Sequence, residues 1–140
     1  MTAQIEDTLL LEGEAYALVG MAAPLVHPRQ FGMAPAPLHA RCYRGFHCGF
    51  EIADDTLLLR SLTLREAQGL YRSICGCAPV RDVRRDSARY DGLALRVGYG
   101  GVLRLARETA DGRVVVEVEL VDGRVEGVME RRNPGQAFAA

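Results

Sequence analysis

The chain has 140 residues, a formal net charge of −1, 49% apolar and 25% charged residues, a balance that marks one ordinary folded domain able to bury roughly 68% of its unfolded surface and excludes wholesale disorder or a fibrous repeat. No apolar run approaches the ~18 residues of a membrane helix, and a pI near 6.3 with 6% aromatic residues does not fit a nucleic-acid binder with a basic, aromatic-studded stripe. The charge is nonetheless segregated: residues 1–20 hold Glu6, Asp7, Glu12 and Glu14 and no cation, whereas residues 60–107 hold ten Arg against four acids.

Thr8 to Gly20 reads as two strands around a tight polar turn near Glu12 to Glu14. Met21 to Leu38 carries four prolines (Pro24, Pro28, Pro35, Pro37) without lasting periodicity. It is a long connection, of the length at which loops tend to be functional or mobile. From Ala40 to Ile52 the pattern alternates, with Cys42, Phe46, Cys48, Phe50 and Ile52 on one face and Arg41, Tyr43, His47 and Glu51 on the other. Period two predicts one continuous strand, with Gly45 and Gly49 as bulge candidates. A turn at Asp54-Asp55 then sets Leu57 across from Ile52, Leu59 across from Phe50 and Leu62 across from His47.

Thr63-Leu64-Arg65-Glu66 has the form of a capping box. Ala67, Leu70, Tyr71 and Ile74 follow at helical spacing, so a helix is expected over Thr63 to Cys75, stopped by Gly76 and Pro79. In the last third, Asp111-Gly112 and Asp122-Gly123 separate Val- and Leu-rich runs, which predicts two type I′ hairpins. Counting outward from these turns places Leu103, Leu120 and Val125 in one core-facing row, and Arg104, Glu119 and Glu126 together on the opposite face. The domain is expected to span residues 1–132, with 133–140 as a loose tail.

Four cysteines invite a zinc site of Cys42, Cys48, Cys75 and Cys77. On a continuous strand, however, Cys42 and Cys48 stand roughly 20 Å apart, so core packing is the favoured role and no metal or cofactor is assigned. His47 and Cys48, as neighbours on a strand, point to opposite faces and form no nucleophile–base pair. His39 and His47 are roughly 27 Å apart if extended. Arg41, Tyr43 and His47 share a face and make a recognition surface. Arg81, Arg84 and Arg85 are the other candidate binding residues; together with Arg89 they are interleaved with Asp82 and Asp86, so local ion pairs explain them at least as well as an anionic partner does. Gly98-Tyr99-Gly100-Gly101 lacks the strand-to-helix context of a phosphate cradle and serves a strand bend instead. No set of residues converges as a catalytic centre.

All cations are Arg, Asn occurs once and Ile three times, a usage expected of a GC-rich bacterial genome. The first residues lack a basic and apolar leader, so a cytoplasmic setting with reduced cysteines is expected. Cys42 to Leu64 (CYRGFHCGFEIADDTLLLRSLTL), Tyr90 to Arg107 (YDGLALRVGYGGVLRLAR) and Leu11 to Gly20 (LEGEAYALVG) resemble a group of β-rich bacterial proteins without assigned activity. That resemblance implies a shared β-rich fold and carries no activity over.

The expected fold is mainly β: a small antiparallel barrel or sandwich of about eight strands with one capping helix. The expected function is a non-catalytic interaction or regulatory protein with a protein partner or a second copy of itself, and neither nucleic acid nor membrane. Neutralising a toxin, as an immunity protein does, is one form this takes. The alternative is a metal-dependent enzyme or small-ligand barrel using Cys and His.

Overall fold

The computed structural model describes residues 3–21 and 23–134. Strands β1 (Thr8–Leu11) and β2 (Glu14–Val19) form a hairpin. Its turn residues Glu12 and Gly13 both take positive φ, the geometry whose twist matches paired strands. The same device joins β3 (Phe46–Ala53) to β4 (Thr56–Leu64) through Asp54 and Asp55. Further along come β5 (Val80–Asp82), β6 (Ser87–Tyr90), β7 (Leu95–Arg96), β8 (Gly101–Thr109), β9 (Gly112–Val121) and β10 (Arg124–Pro134). The strands β4, β3, β1, β2, β8, β9 and β10 close into a seven-stranded barrel through the pair Arg124–Thr56. Outside that ring, β6 and β7 are added on β4, and β5 on β6. The pairs are antiparallel except β1 with β3, which run parallel, so the barrel is mixed rather than purely antiparallel.

Alternation fills the interior. Leu9, Leu18, Phe46, Cys48, Phe50, Leu57, Leu59, Leu62, Leu64, Leu103, Leu105, Val116, Val118 and Leu120 are all buried, each large aliphatic or aromatic side chain contributing roughly 1.5–3 kcal/mol. Residues 21–38, with one 3-10 turn at Pro28–Phe31, add Val26 and Met33 to this core. Among the described residues, no helix is long and apolar enough to cross a membrane.

Four expectations are corrected. The helix over Thr63 to Cys75 does not form. β4 continues the strand alternation through Leu64, and Gly69, Cys75 and Gly76 all adopt positive φ, which a right-handed helix forbids. Glu66 does cap, but it caps a loop: its carboxylate accepts the N–H groups of Ala34, Gln68 and Leu70. Second, the segment from Ala40 to Ile52 is not one strand. The chain reverses between His39 and Cys42, turns at Gly45 with φ of 87°, and extends only from Phe46.

Third, registers slip at bulges. Ile52–Leu57 and Phe50–Leu59 pair as expected, but the shift between Gly49 and Phe50 leaves Arg60 unopposed and puts His47 across from Thr63. Ala110 and Asp111 make the β8–β9 turn, so Leu103 faces Val118 and Arg104 faces Glu117. Leu120–Val125 holds, and the next bulge then sets Glu119 against Gly127. Fourth, β10 runs through Pro134, beyond the expected boundary at residue 132; the rest of the expected tail, 135–140, lies outside the described residues.

The reversal at Gly45 admits no side chain, because a Cβ there would lie 2.2 Å from the Ala36 carbonyl oxygen. Gly45→Ala is therefore expected to cost about 3 kcal/mol in denaturant unfolding, strain and overlap together. Gly13→Ala, where φ is also positive but no atom lies within 4 Å, should cost only about 1 kcal/mol.

Candidate recognition groove

The far end of β4 builds the site. Leu62, Thr63 and Leu64 of β4 pair with Tyr90, Arg89 and Ala88 of β6, which in turn pairs with β5. One row therefore runs across four strands as His47, Thr63, Arg89 and Val80. The inward row beside it buries Phe46, Leu64 and Ala88, so the core fixes the height and tilt of the outward row.

The β5–β6 turn completes the groove. Asp82 accepts the Arg85 N–H at 3.2 Å and Asp86 takes φ of 49°, an Asx-type turn that leaves Val83, Arg84 and Arg85 projecting. The groove so formed has a volume of about 1070 Å³, and its lining includes His39, His47, Arg81, Arg84, Arg85 and Arg89. Asp82 is the one carboxylate in that lining.

Its arginines are only partly compensated. Arg85–Asp82 and Arg81–Asp86 separate at 3.9 Å, Arg65–Asp86 at 3.5 Å, and Arg89–Asp91 at 2.7 Å. All involve exposed groups, where a pair is worth about 0–1 kcal/mol. Arg81 also lies over the Tyr71 ring at 4.3 Å, which orients its guanidinium by cation–π attraction. Among the described residues, Arg84 makes no ion pair. Val80 and Val83 are exposed beside these charges.

His47 is half-buried, and that burial lowers its pKa; the Arg44 and His39 charges push the same way, while Asp7 opposes them. The shift favours the neutral imidazole, which faces a cationic groove. His39 enters the same lining because the chain reverses: its Nδ1 accepts the Arg41 N–H at 3.2 Å, and its backbone pairs with Cys42. The separation expected of an extended segment is thus overturned for the two histidines.

Sequence reasoning grouped Arg41, Tyr43 and His47 on one face, and the reversal divides them. Tyr43 is exposed and borders a second cavity of about 560 Å³, together with Cys42, Arg44 and Asp7. Arg41 is exposed and lines neither. Arg81, Arg84 and Arg85, by contrast, do come together with His47. Arg89 joins them through the β4–β6 pairing, and His39, set apart from His47 on an extended reading, reaches the same groove through the turn. Asp7 and Arg44 carry no signal in the local pattern.

Asp7 is buried and accepts both the Arg44 guanidinium and the Cys48 N–H, the latter at 2.7 Å. Arg44 also donates to the Phe46 carbonyl at 2.7 Å and lies over the Phe46 ring at 4.7 Å. In the second cavity, therefore, the two charges satisfy each other rather than a ligand.

Cys42 and Cys48 are buried, Cys75 is exposed and Cys77 half-buried, and all four are free thiols. Burial raises the pKa of Cys42 and pushes the Cys48 thiol well up, with the Asp7 charge adding to the latter. Neither is a ready thiolate. Among the described residues, no three His, Cys, Asp or Glu side chains are grouped so as to hold a metal ion.

Comparison of the chain with protein-family models, curated proteins and solved structures finds no match.

The depressed pKa of His47 carries a sign for stability. Between its unfolded value of about 6.5 and its lower folded value, the unfolded chain binds the extra proton, so stability falls as pH falls through that window. Denaturant unfolding from pH 7.5 to 5 should show this slope, and His47→Gln should reduce it, leaving the part due to His27, whose pKa burial also lowers. An NMR titration should place the His47 midpoint below about 6.5.

Proposed function

We propose that the protein is a non-catalytic recognition module whose groove between β3, β4, β6 and β5 binds an acidic surface of a protein partner. The observation that carries this reading is the gathering of Arg81, Arg84, Arg85 and Arg89 around one groove with a single lining carboxylate. Planar, always-charged guanidinium groups recognise carboxylates in two-point geometry. The exposed Val80 and Val83 at the groove's edge add the apolar area that a protein surface offers and a free small anion does not. Occupying an acidic face of another protein is also how a neutralising, immunity-like partner acts, and it requires no reacting group on this chain. The arrangement of the other reactive side chains supports the same reading. His47 and Cys48 lie on opposite faces of β3, and the Cys48 thiol is held protonated.

The test uses a short oligoglutamate peptide as probe, with oligolysine and single-stranded DNA of equal charge number as comparators. Oligoglutamate should bind in a salt-sensitive way. The double reversal Arg84→Glu/Arg85→Glu should weaken it by at least about tenfold, which is about 1.4 kcal/mol. Both substitutions lie at exposed turn positions, so the fold should persist. Equal binding of oligolysine, stronger binding of DNA, or indifference to the double reversal would overturn the reading.

A further inference from the structure

Beyond Arg124 and Val125, β10 has no partner on its outer side among the described residues. Its contact with β4 consists of the Arg124–Thr56 pair, with the Val125 N–H donating to Asp55. A bulge follows between Val125 and Gly127. From Glu126 to Arg132 every residue is exposed, on both faces of the strand, although from Gly127 onward the inner edge stays paired with β9. Val128 lies across from the buried Val118 and is still 55% exposed, as is Met129. An open strand edge of this length, about 23 Å at ~3.3 Å per residue, presents a row of unpaired N–H and C=O groups, and its natural complement is another strand.

We infer that this edge pairs antiparallel with the same edge of a second copy of the chain, in the register that places Met129 opposite Met129. The charges select both the occupant and the register. In a two-fold pair lying in one continuous sheet, residues directly opposite must share a face, so the axis passes through a residue of β10. With the axis at Met129, Glu126 faces Arg132 of the second copy twice over, Val128 faces Glu130, and no like charges meet. With the axis at Val128, Glu126 faces Glu130 and Arg124 faces Arg132. At Glu130 the glutamates oppose each other, and at Arg131 the arginines do. At Gly127 the second strand would run onto Arg124 and Val125, whose outer side β4 already occupies.

Like charges directly across a pair are destabilising and opposite charges stabilising, and the difference repeats at two symmetric positions. Glu126 makes no ion pair within its own chain among the described residues, and Arg132 has only the nearby Glu130 at 3.5 Å. The apolar centre of Val128 and Met129, flanked by acid on one side and base on the other, is complementary to itself.

The contact is small, so the dimer should be concentration-dependent, with a dissociation constant on the order of micromolar. Sedimentation velocity of the full chain across a concentration series reads it directly. Wild type should pass from monomer to dimer. Glu126→Arg and Arg132→Glu singly should each weaken the dimer at least about tenfold, and the double variant Glu126→Arg/Arg132→Glu should restore it, because the pair is then re-formed with its sign exchanged. Met129→Lys, which sets like charges face to face, should weaken it without rescue by either reversal. These positions are exposed, so the thermal midpoint of the monomer checks that folding is intact. A wild type that stays monomeric throughout would overturn the proposal, the bulge and charges then serving only to keep strands away. So would a dimer that the single reversals leave intact or the double variant does not recover.

Discussion

β4 has two edges and four strands to satisfy. Its inner edge is taken by β3 from Thr56 to Leu64, with Arg60 bulged out. Its outer edge is divided: Thr56 goes to β10, Leu58 and Leu59 to β7, and Leu62 to Leu64 to β6. Backbone groups in a barrel wall must be paired once buried, and this partition is how the wall is completed. It has two consequences. β10 cannot continue along β4, because β7 holds the next stretch, so the remainder of β10 leaves the ring with its outer edge open. At the other end, β6 is held against β4 firmly enough to carry β5 and its arginine-bearing turn beyond the barrel. The closure of the barrel, the groove and the open edge are thus one constraint seen at three places.

A second constraint fixes the chain beneath β3. Asp7 precedes β1, is buried, and ties the Arg44 side chain and the Cys48 N–H to the same carboxylate. Removing Arg44 would leave the buried Asp7 carboxylate with the Cys48 N–H alone, which is the costly way to break such a pair. The parallel pairing of β1 with β3 brings these residues together across 41 positions of sequence. The reversal at Gly45 follows, and it presents Tyr43 to one cavity and His39 to the other.

What was legible in the sequence was whatever depends on period and turn chemistry alone. The β1–β2 and β3–β4 hairpins, the core-facing leucines, and the pairing of Leu120 with Val125 follow from alternation counted out from a two-residue turn. What failed did so where a nonlocal bond outweighed a local motif. Thr63 and Glu66 have the spacing of a helix cap, but Thr63 is held in β4 between His47 and Arg89, while Glu66 gives its carboxylate to the 34–36 and 68–70 segments. The alternation through Ala40 to Phe46 looked continuous because Cys42 and Phe46 are both buried; they are buried across a turn, with the Cys42 thiol on the Phe46 carbonyl at 3.4 Å. Arg81, Arg84 and Arg85 stay together in the structure because a hairpin turn keeps near neighbours near. Arg41 and Tyr43 were not separable from His47 without knowing that the strand begins only at Phe46.

The two proposed surfaces use opposite ends of β4. Thr56 and Thr63 are seven positions apart, roughly 23 Å along an extended strand, so the β10 edge and the arginine groove do not share residues. Their chemistry differs accordingly. The groove is unbalanced in charge and calls for a foreign acid; the edge is balanced and calls for itself. A strand-edge dimer would leave both grooves open and fix them at a constant separation on one molecule. An acidic partner that is itself dimeric, or that repeats its acidic segment, would then bind the second groove as an intramolecular step, gaining affinity without any new contact provided its spacing matches. Individually weak, salt-screened arginine contacts of the kind seen here are the sort that depend on such repetition to become selective.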